Sequence, residues 1–323
     1  RGVIADDFTF DNVRIVAQGI ADYLKEETED NKQKEVVVGY DNRFLAEKYG
    51  LLIAEVLSGN GIKVILSDKS VPSPCVSFAI VERKCDGGVM VTASHNPPQF
   101  CGIKFKASYG GPATEEITRK IERNLYHSKI LESINPELII EEDLIPSYLA
   151  RLKSFIDFDL IKGAGLKIVA DSMHGVGNKY IEQVLKDTNC NVISIRVRRD
   201  PLFGGVNPEP IEEYLGELKK KVKETRADIG LATDGDADRI GVVDDEGNYF
   251  TPHLVFPLLL LYLVREKKWR GKVVQTISLG YLSERIAKKH NLEFQEVPVG
   301  FKYVSDLMLR ENILIGGEES GGY

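Results

Sequence analysis

Six consecutive residues, Asp234-Gly235-Asp236-Ala237-Asp238-Arg239, gather three carboxylates in one turn between two apolar segments, Ala227 to Thr233 and Ile240 to Val243. Two unit charges about 4 Å apart repel by about 1 kcal/mol in bulk water and by about 4 kcal/mol at an effective dielectric of about 20, so such a turn needs a counter-charge. A hard divalent cation supplies it, because carboxylate oxygens are the ligands it prefers. A helix-loop-helix calcium loop would require Gly at its sixth position and Glu at its twelfth. Arg239 and Asp245 stand there instead, and the flanks read as strands. A plain solvated acidic turn is the remaining reading; the position after a buried strand, where ligand sites of open α/β sheets collect, argues for a site.

Two further loops carry chemistry. After the apolar run Gly88 to Thr92 comes Ala93-Ser94-His95-Asn96-Pro97-Pro98, and after Asn312 to Ile315 comes Gly316-Gly317-Glu318-Glu319-Ser320-Gly321-Gly322. Ser94 lacks the Gly-x-Ser-x-Gly elbow of the hydrolases, and its immediate neighbour His95 is badly placed to act as its base. Ser, Asn and Pro also suit an ordinary turn. Beside a metal-binding loop, however, Ser94 becomes a candidate phosphoryl carrier. A phosphoserine adds about −1.5 to −2 charges and three acceptor oxygens, one of which a Mg2+ ion held by Asp234, Asp236 and Asp238 can take. Lys104, Lys106, Arg239 and Arg43 are cations suited to phosphate at strand ends. Glu318, Glu319 and Ser320, bracketed by glycines that let backbone approach a ligand, can accept hydrogen bonds from vicinal sugar hydroxyls; a flexible Gly-rich loop is the alternative.

The elements that must position these loops read as repeated units. Thr9 and Asp11 are candidate caps for a helix with Val13, Val16, Ala17, Ile20 and Leu24 on one face. Strands are expected at Glu35 to Tyr40, Ile62 to Leu66 and Gly88 to Thr92, with helices between them. The order recurs with strands at Lys167 to Ala170, Asn191 to Arg196 and Ala227 to Thr233, and again at Lys272 to Thr276, Leu292 to Val297 and Asn312 to Ile315. A helix on Ile211, Tyr214, Leu215, Leu218 and Val222 precedes the aspartate turn. The expected fold is α/β: three consecutive β-α-β-α-β modules with mixed, mostly parallel sheets and an active site in the cleft between them. The expected domains are 1–143 with the serine loop, 144–247 with the metal loop and 248–323 with the sugar loop.

Bulk properties bound the function class. The chain has 323 residues, 43% hydrophobic and 28% charged, with a net charge of −7, enough for two or three cores. An acidic balance argues against nucleic acid as the main partner. The run Leu254 to Val264 is too short for a membrane span of about 20 residues and reads as a core helix. Cys75, Cys85, Cys101 and Cys190 show no metal-ligand spacing, and reduced thiols in a cytoplasmic protein are their simplest account. The residues carry no signal for an oligomeric state.

Taken together, Thr92-Ala93-Ser94-His95-Asn96-Pro97, Asp234-Gly235-Asp236-Ala237-Asp238-Arg239 and Gly317-Glu318-Glu319-Ser320-Gly321 resemble, in order and across the whole chain, the signature of the α-D-phosphohexomutases, the phosphoglucomutase/phosphomannomutase family. Arg1-Gly2 and Asp171-Ser172-Met173-His174-Gly175-Val176-Gly177 resemble further family segments. The resemblance implies a reversible mutase that moves a phosphoryl group between the 1- and 6-hydroxyls of a hexose phosphate through a hexose 1,6-bisphosphate. It implies that phosphorylated Ser94 donates to substrate, and that Asp234, Asp236, Asp238 and the Ser94 phosphate hold Mg2+. Arg239, Lys104, His95 and Arg43 would lie near the phosphoserine. Glu318 and Ser320 would grip the sugar, with Glu319 beside them and Lys302 on the substrate side. Glu319 resembles glucose-preferring members; phosphomannomutase and phosphoglucosamine mutase activities are the nearest alternatives, and a non-catalytic sugar-phosphate-binding protein or a phosphatase belongs to other classes. The family's fourth domain, which supplies a phosphate-binding loop, is expected to be absent from this chain.

Overall fold

The computed structural model describes residues 1–27, 32–131 and 134–323. The first module contains β1 (Gly2–Val3), α1 (Phe10–Glu26), β2 (Glu35–Tyr40), α2 (Ala46–Gly59), β3 (Lys63–Ser67), α3 (Ser73–Arg83), β4 (Gly87–Val91), β5 (Phe100–Cys101), β6 (Ile103–Ala107), α4 (Glu115–Arg123) and β7 (Ile139–Glu142). The second contains α5 (Ile145–Phe155), α6 (Phe158–Ala164), β8 (Lys167–Asp171), α7 (Tyr180–Leu185), β9 (Asn191–Ile195), α8 (Gly216–Thr225), β10 (Ile229–Thr233), β11 (Ile240–Asp244) and β12 (Tyr249–Phe250). The third contains α9 (Pro252–Arg265), β13 (Lys272–Thr276), α10 (Leu282–Lys289), β14 (Phe294–Val297), α11 (Phe301–Met308) and β15 (Ile313–Gly317).

The three sheets run β6-β4-β2-β3-β7, β12-β11-β10-β8-β9 and β14-β13-β15. Each therefore holds the same parallel core, with the third strand of the unit beside the first and the second on the far side: β4-β2-β3, β10-β8-β9 and β15-β13-β14. In the first two modules an antiparallel strand folds back on the third, pairing β6 with β4 and β11 with β10. The serine loop and the aspartate loop are thus both carried between a buried parallel strand and its antiparallel return, a constrained place for a side chain.

Local sequence explains the helices that frame these strands. Thr9, in extended conformation, caps α1 by accepting from the Asn12 amide, and Val13, Ala17, Ile20 and Leu24 are buried against α2 and the first sheet. Differences from the sequence expectation have local causes. The helix expected from Ile211 becomes a 3-10 turn at Glu212–Tyr214 followed by α8 from Gly216, because Ile211 is extended and Leu215, at φ −93° and ψ 14°, interrupts the helical backbone between them. β15 extends through Gly316 and Gly317, so the sugar loop begins at Glu318. α9 buries Val255, Phe256, Leu260 and Val264 but leaves Leu254, Leu258, Leu259 and Tyr262 exposed, so it is a one-faced helix and not the fully interior one its composition implied. Among the described residues, no helix is long and apolar enough to cross a membrane.

Candidate active site

The serine loop and the aspartate loop meet. The Ser94 hydroxyl donates to Asp234 Oδ2 at 2.8 Å across 140 positions of sequence, and both side chains are buried. Gly235 makes this approach feasible: a Cβ there would lie 2.5 Å from the Ser94 carbonyl oxygen, closer than any side chain is tolerated. The Ser73 amide at the start of α3 donates to the Asp236 carbonyl at 2.8 Å, a second tie between the modules.

Ser94 has φ +52°, a left-handed conformation that costs a non-glycine residue of order 1–3 kcal/mol and persists only when its surroundings enforce it. Those surroundings form a closed ring. The Ser94 amide donates to Thr92 Oγ1 at 2.8 Å, and the Thr92 hydroxyl donates to Asp41 Oδ2 at 2.6 Å. Asp41 Oδ2 lies 3.3 Å from Arg43 Nε, and the Arg43 guanidinium donates back to the carbonyls of Ser94, Asn96, Pro97 and Phe100. Arg43 is fully buried and also stacks 5.0 Å from the ring centre of Phe203, from the second module. Burial, offset by Arg43, pushes the Asp41 carboxyl up to about 6. Arg43 therefore does not line the cleft: with its donors on backbone carbonyls it shapes the serine loop.

The aspartate loop has the character of a cation site. Oxygens of Asp234, Asp236 and Asp238 lie within 4.8 Å of one another. Asp234 Oδ1 accepts from the Asp238 and Arg239 amides at 3.0 and 3.1 Å, while Asp236 Oδ1 is buried with no hydrogen-bond partner. Burial and the carboxylates of Asp236 and Asp238 push Asp234 well above the ordinary carboxylate range. Burial works the same way on Asp236, but the Lys104 ammonium 2.7 Å away overrides it and holds Asp236 down. Lys104 also lies 3.4 Å from Asp238. An orphaned carboxylate oxygen, two buried acids and a third at the rim fit a hard divalent ion.

Above this floor opens a cavity of about 800 Å3, walled by the serine loop, Lys104, Lys106 and Gly110 to Pro112 from the first module, Asp238 and Arg239 from the second, and Lys302, Ser305 and Glu318 from the third. Arg239 spans the modules, with its guanidinium 4.0 Å from Asp238 and 3.9 Å from Glu318. The Ser320 hydroxyl donates to Glu318 Oε1, and the Ile240 amide donates to the Gly321 carbonyl at 3.0 Å, which fastens the third loop to β11. His95 lines the cavity, and burial together with Arg239 pushes its imidazole down to about 4, so it is neutral near pH 7. Lys302 lies 3.3 Å from Glu115 at the mouth.

Glu319 turns away from the cleft: its Oε2 accepts from the hydroxyls of Thr276, at 2.8 Å, and Ser278 within the third module. Like Arg43, it supports a loop and does not line the cavity. Residues that sequence reasoning left without a role include Asp41 and Thr92, which complete the ring under Ser94. Asn42 also went unassigned; its amide donates to the His174 and Gly175 carbonyls at 2.9 Å across the module boundary. The only sequence signal for them is their place at the ends of buried strands.

Three family models cover most of the chain: phosphoglucomutase/phosphomannomutase alpha/beta/alpha domain I over residues 1–130, domain II over 146–247 and domain III over 251–323. The sequence is 31% identical over its full length to a phosphoglucomutase/phosphomannomutase of Thermococcus kodakarensis, covering 70% of that protein. It is 32% identical to a phosphoglucomutase of Staphylococcus haemolyticus, covering 96% of this chain and 60% of that one, and 31% identical to a phosphoglucosamine mutase of Campylobacter jejuni, covering 95% and 68%. A solved Thermus thermophilus protein assigned as a phosphomannomutase superposes with a TM-score of 0.93 at 38% identity, covering 99% of this chain and 72% of that one. Fold and site thus define a three-domain α/β/α phosphotransferase of the isomerase class. The chain belongs to the phosphoglucomutase/phosphomannomutase family of phosphohexomutases.

Proposed function

We propose that this chain carries the catalytic centre of a Mg2+-dependent phosphohexomutase that interconverts hexose 1-phosphate and hexose 6-phosphate, with glucose as the preferred sugar. The observation that carries the reading is the 2.8 Å contact between the Ser94 hydroxyl and Asp234 at a cluster of three carboxylates. Ser94 Oγ is the phosphoryl carrier. Its phosphate passes to the free hydroxyl of the sugar phosphate to give a hexose 1,6-bisphosphate, and the other phosphate returns to Ser94 after the sugar has turned in the cleft. Asp234, Asp236 and Asp238, with the Ser94 phosphate, hold Mg2+, which neutralises charge on the transferring group.

The remaining residues position and exclude. Lys104 and Arg239 place positive charge beside Ser94, which is what phosphoryl transfer asks of a protein. Neutral His95 adds no charge of its own near pH 7. Glu318, oriented by Ser320, accepts from sugar hydroxyls, and Lys302 stands at the substrate side. Arg43, through Asp41 and Thr92, fixes the backbone from which Ser94 points. Domain limits at 143/144 and 247/248 are part of this proposal, supported by the gaps between the family matches.

Relatives bearing phosphoglucomutase and phosphoglucosamine mutase names at similar identity make substrate choice the finer question. The glucose preference rests on the resemblance of Glu318-Glu319-Ser320 to the loop of glucose-preferring members, with Glu319 acting through the loop it anchors and not by contact with the sugar. Turnover of glucose, mannose and glucosamine 1-phosphates by the native protein, with intact-mass detection of one phosphate on Ser94, tests both levels. Full turnover by Ser94→Ala would overturn the mechanism; faster turnover of mannose or glucosamine 1-phosphate would overturn the sugar assignment alone.

A further inference from the structure

β6 presents two lysines to the cleft in alternation with Phe105, which packs edge-on against Tyr23 of α1 at 5.7 Å between ring centres. Period-two alternation puts Lys104 and Lys106 on the same face, opposite that core. Their situations differ. Lys104 is engaged by Asp236 and Asp238. Lys106 is only 8% exposed and lines the cavity, and its ammonium has neither an ion-pair nor a hydrogen-bond partner among the described residues.

An unpaired ammonium under that much cover is costly, and the surroundings do little to relieve it. Burial and the Lys104 charge, offset in part by Asp238 and Asp236, push Lys106 down to about 8, so most molecules still carry the charge near pH 7. Gly110, Gly111 and Pro112 stand beside it on the same module without charge, and the third module's Lys302, already paired with Glu115, and Ser305 line the same cavity. The nearby Ser77 hydroxyl is already turned to the Ser73 carbonyl. A cation kept charged at a cost, beside Lys104 and lining an open cavity, is complementary to an anion that arrives from outside.

We propose that Lys106 is a further substrate-binding residue of the cleft, taking a phosphate oxygen of a sugar phosphate where it lies against the first module, next to the Lys104 that the aspartates already hold. The inference rests on the phosphohexomutase reading and deepens it. The ligand class is a phosphate monoester on a sugar, and the bisphosphate is the form that presents one phosphate to Ser94 and another to the far side of the cleft. A charge-assisted contact of this kind corresponds to a change in affinity of about tenfold or more.

The test uses glucose 1,6-bisphosphate, titrated calorimetrically with Mg2+ present into the Ser94→Ala protein, in which no transfer occurs. Adding Lys106→Met is expected to weaken binding at least about tenfold, and Lys106→Arg, which keeps the charge, to weaken it less than about threefold. Unchanged affinity in Lys106→Met overturns the inference. If that variant does not fold, reductive methylation of the unaltered protein at pH 8 replaces it. Glucose 1,6-bisphosphate is expected to slow modification of Lys106 where glucose does not; equal rates overturn the inference. Lost affinity in a protein without mutase turnover would sink the proposed function and keep Lys106 as an anion site, whereas full turnover and affinity in Lys106→Met would do the reverse.

Discussion

The serine side of the cleft and the glutamate side are built on opposite plans. Under Ser94 the backbone is held by a buried ring of Asp41, Arg43 and Thr92, closed by Phe203 from the next module and by backbone ties at Gly235 and Ser73. Glu318 sits in a Gly-bracketed loop held by the Ser320 hydroxyl, the Gly322 carbonyl and one cross-module amide, with Glu319 anchoring it from behind. At the mouth the first and third modules meet through the half-exposed Lys302–Glu115 pair. The lesson is a division of labour: the residue proposed to carry the phosphoryl group is fixed by a buried ring of side chains, while the residues proposed to read the sugar are held by fewer and more local hydrogen bonds.

Removing the ring should break this contrast most severely. Arg43→Met leaves Asp41 buried without its partner and four carbonyls without a donor, and is expected to cost about 3–5 kcal/mol in urea unfolding. Glu319→Gln, which removes one acceptor charge on the other side, should cost about 1 kcal/mol. Equal losses would refute the division.

Next in size is the response to pH, where the two sides have opposite signs. Asp41 is raised from 3.8 to about 6, so its contribution is fully present below about 3.8 and is lost as pH rises through about 6. The wild type should therefore lose about 3 kcal/mol relative to Asp41→Asn between pH 3 and 7, measured as paired unfolding curves. Glu319 is also pushed up by burial, but the Ser278 and Thr276 hydroxyls outweigh burial and hold it below its ordinary value. Its contribution is present above about 4.5 and is lost on further acidification. Local hydrogen exchange around 318–322 should accordingly rise at acid pH in the wild type and show no such change in Glu319→Gln.

Metal loading sharpens the comparison a little less. At a Mg2+ concentration of about 100 times Kd, linkage adds about 2.7 kcal/mol. That gain should appear in the thermal unfolding of the wild type, vanish with a chelator and be absent from Asp236→Asn, with protection confined to the serine and aspartate loops. The smallest effect belongs to the mouth. An exposed pair such as Lys302–Glu115 is worth about 0–1 kcal/mol, so Glu115→Gln should leave the melting temperature nearly unchanged. A large loss there would show that the two modules are locked together after all.

Much of the site was legible because its chemistry is dense in sequence: three acids in five residues, a Ser-His-Asn-Pro turn and a glycine-bracketed Glu-Glu-Ser each declare themselves. The three-fold repetition of strands was legible from apolar runs, although strand order within each sheet comes only from pairing. What escaped was the direction of charged side chains. Arg43 and Lys104 look alike in sequence, each following a strand or lying in one, yet one is buried among carbonyls and the other faces the acids. Glu318 and Glu319 are adjacent and point apart, since a turn sends successive side chains to different surroundings. Local pattern fixes periodicity; which polar group finds a partner depends on segments many residues away.

The absence of a single carbon at position 235 sets the gap between the serine loop and the aspartate loop. Because the obstacle on the other side is main chain, the carbonyl of Ser94, no neighbouring substitution can make room for an added methyl. Gly235→Ala would act as a shim, prising one lobe from the other and leaving each intact but out of register.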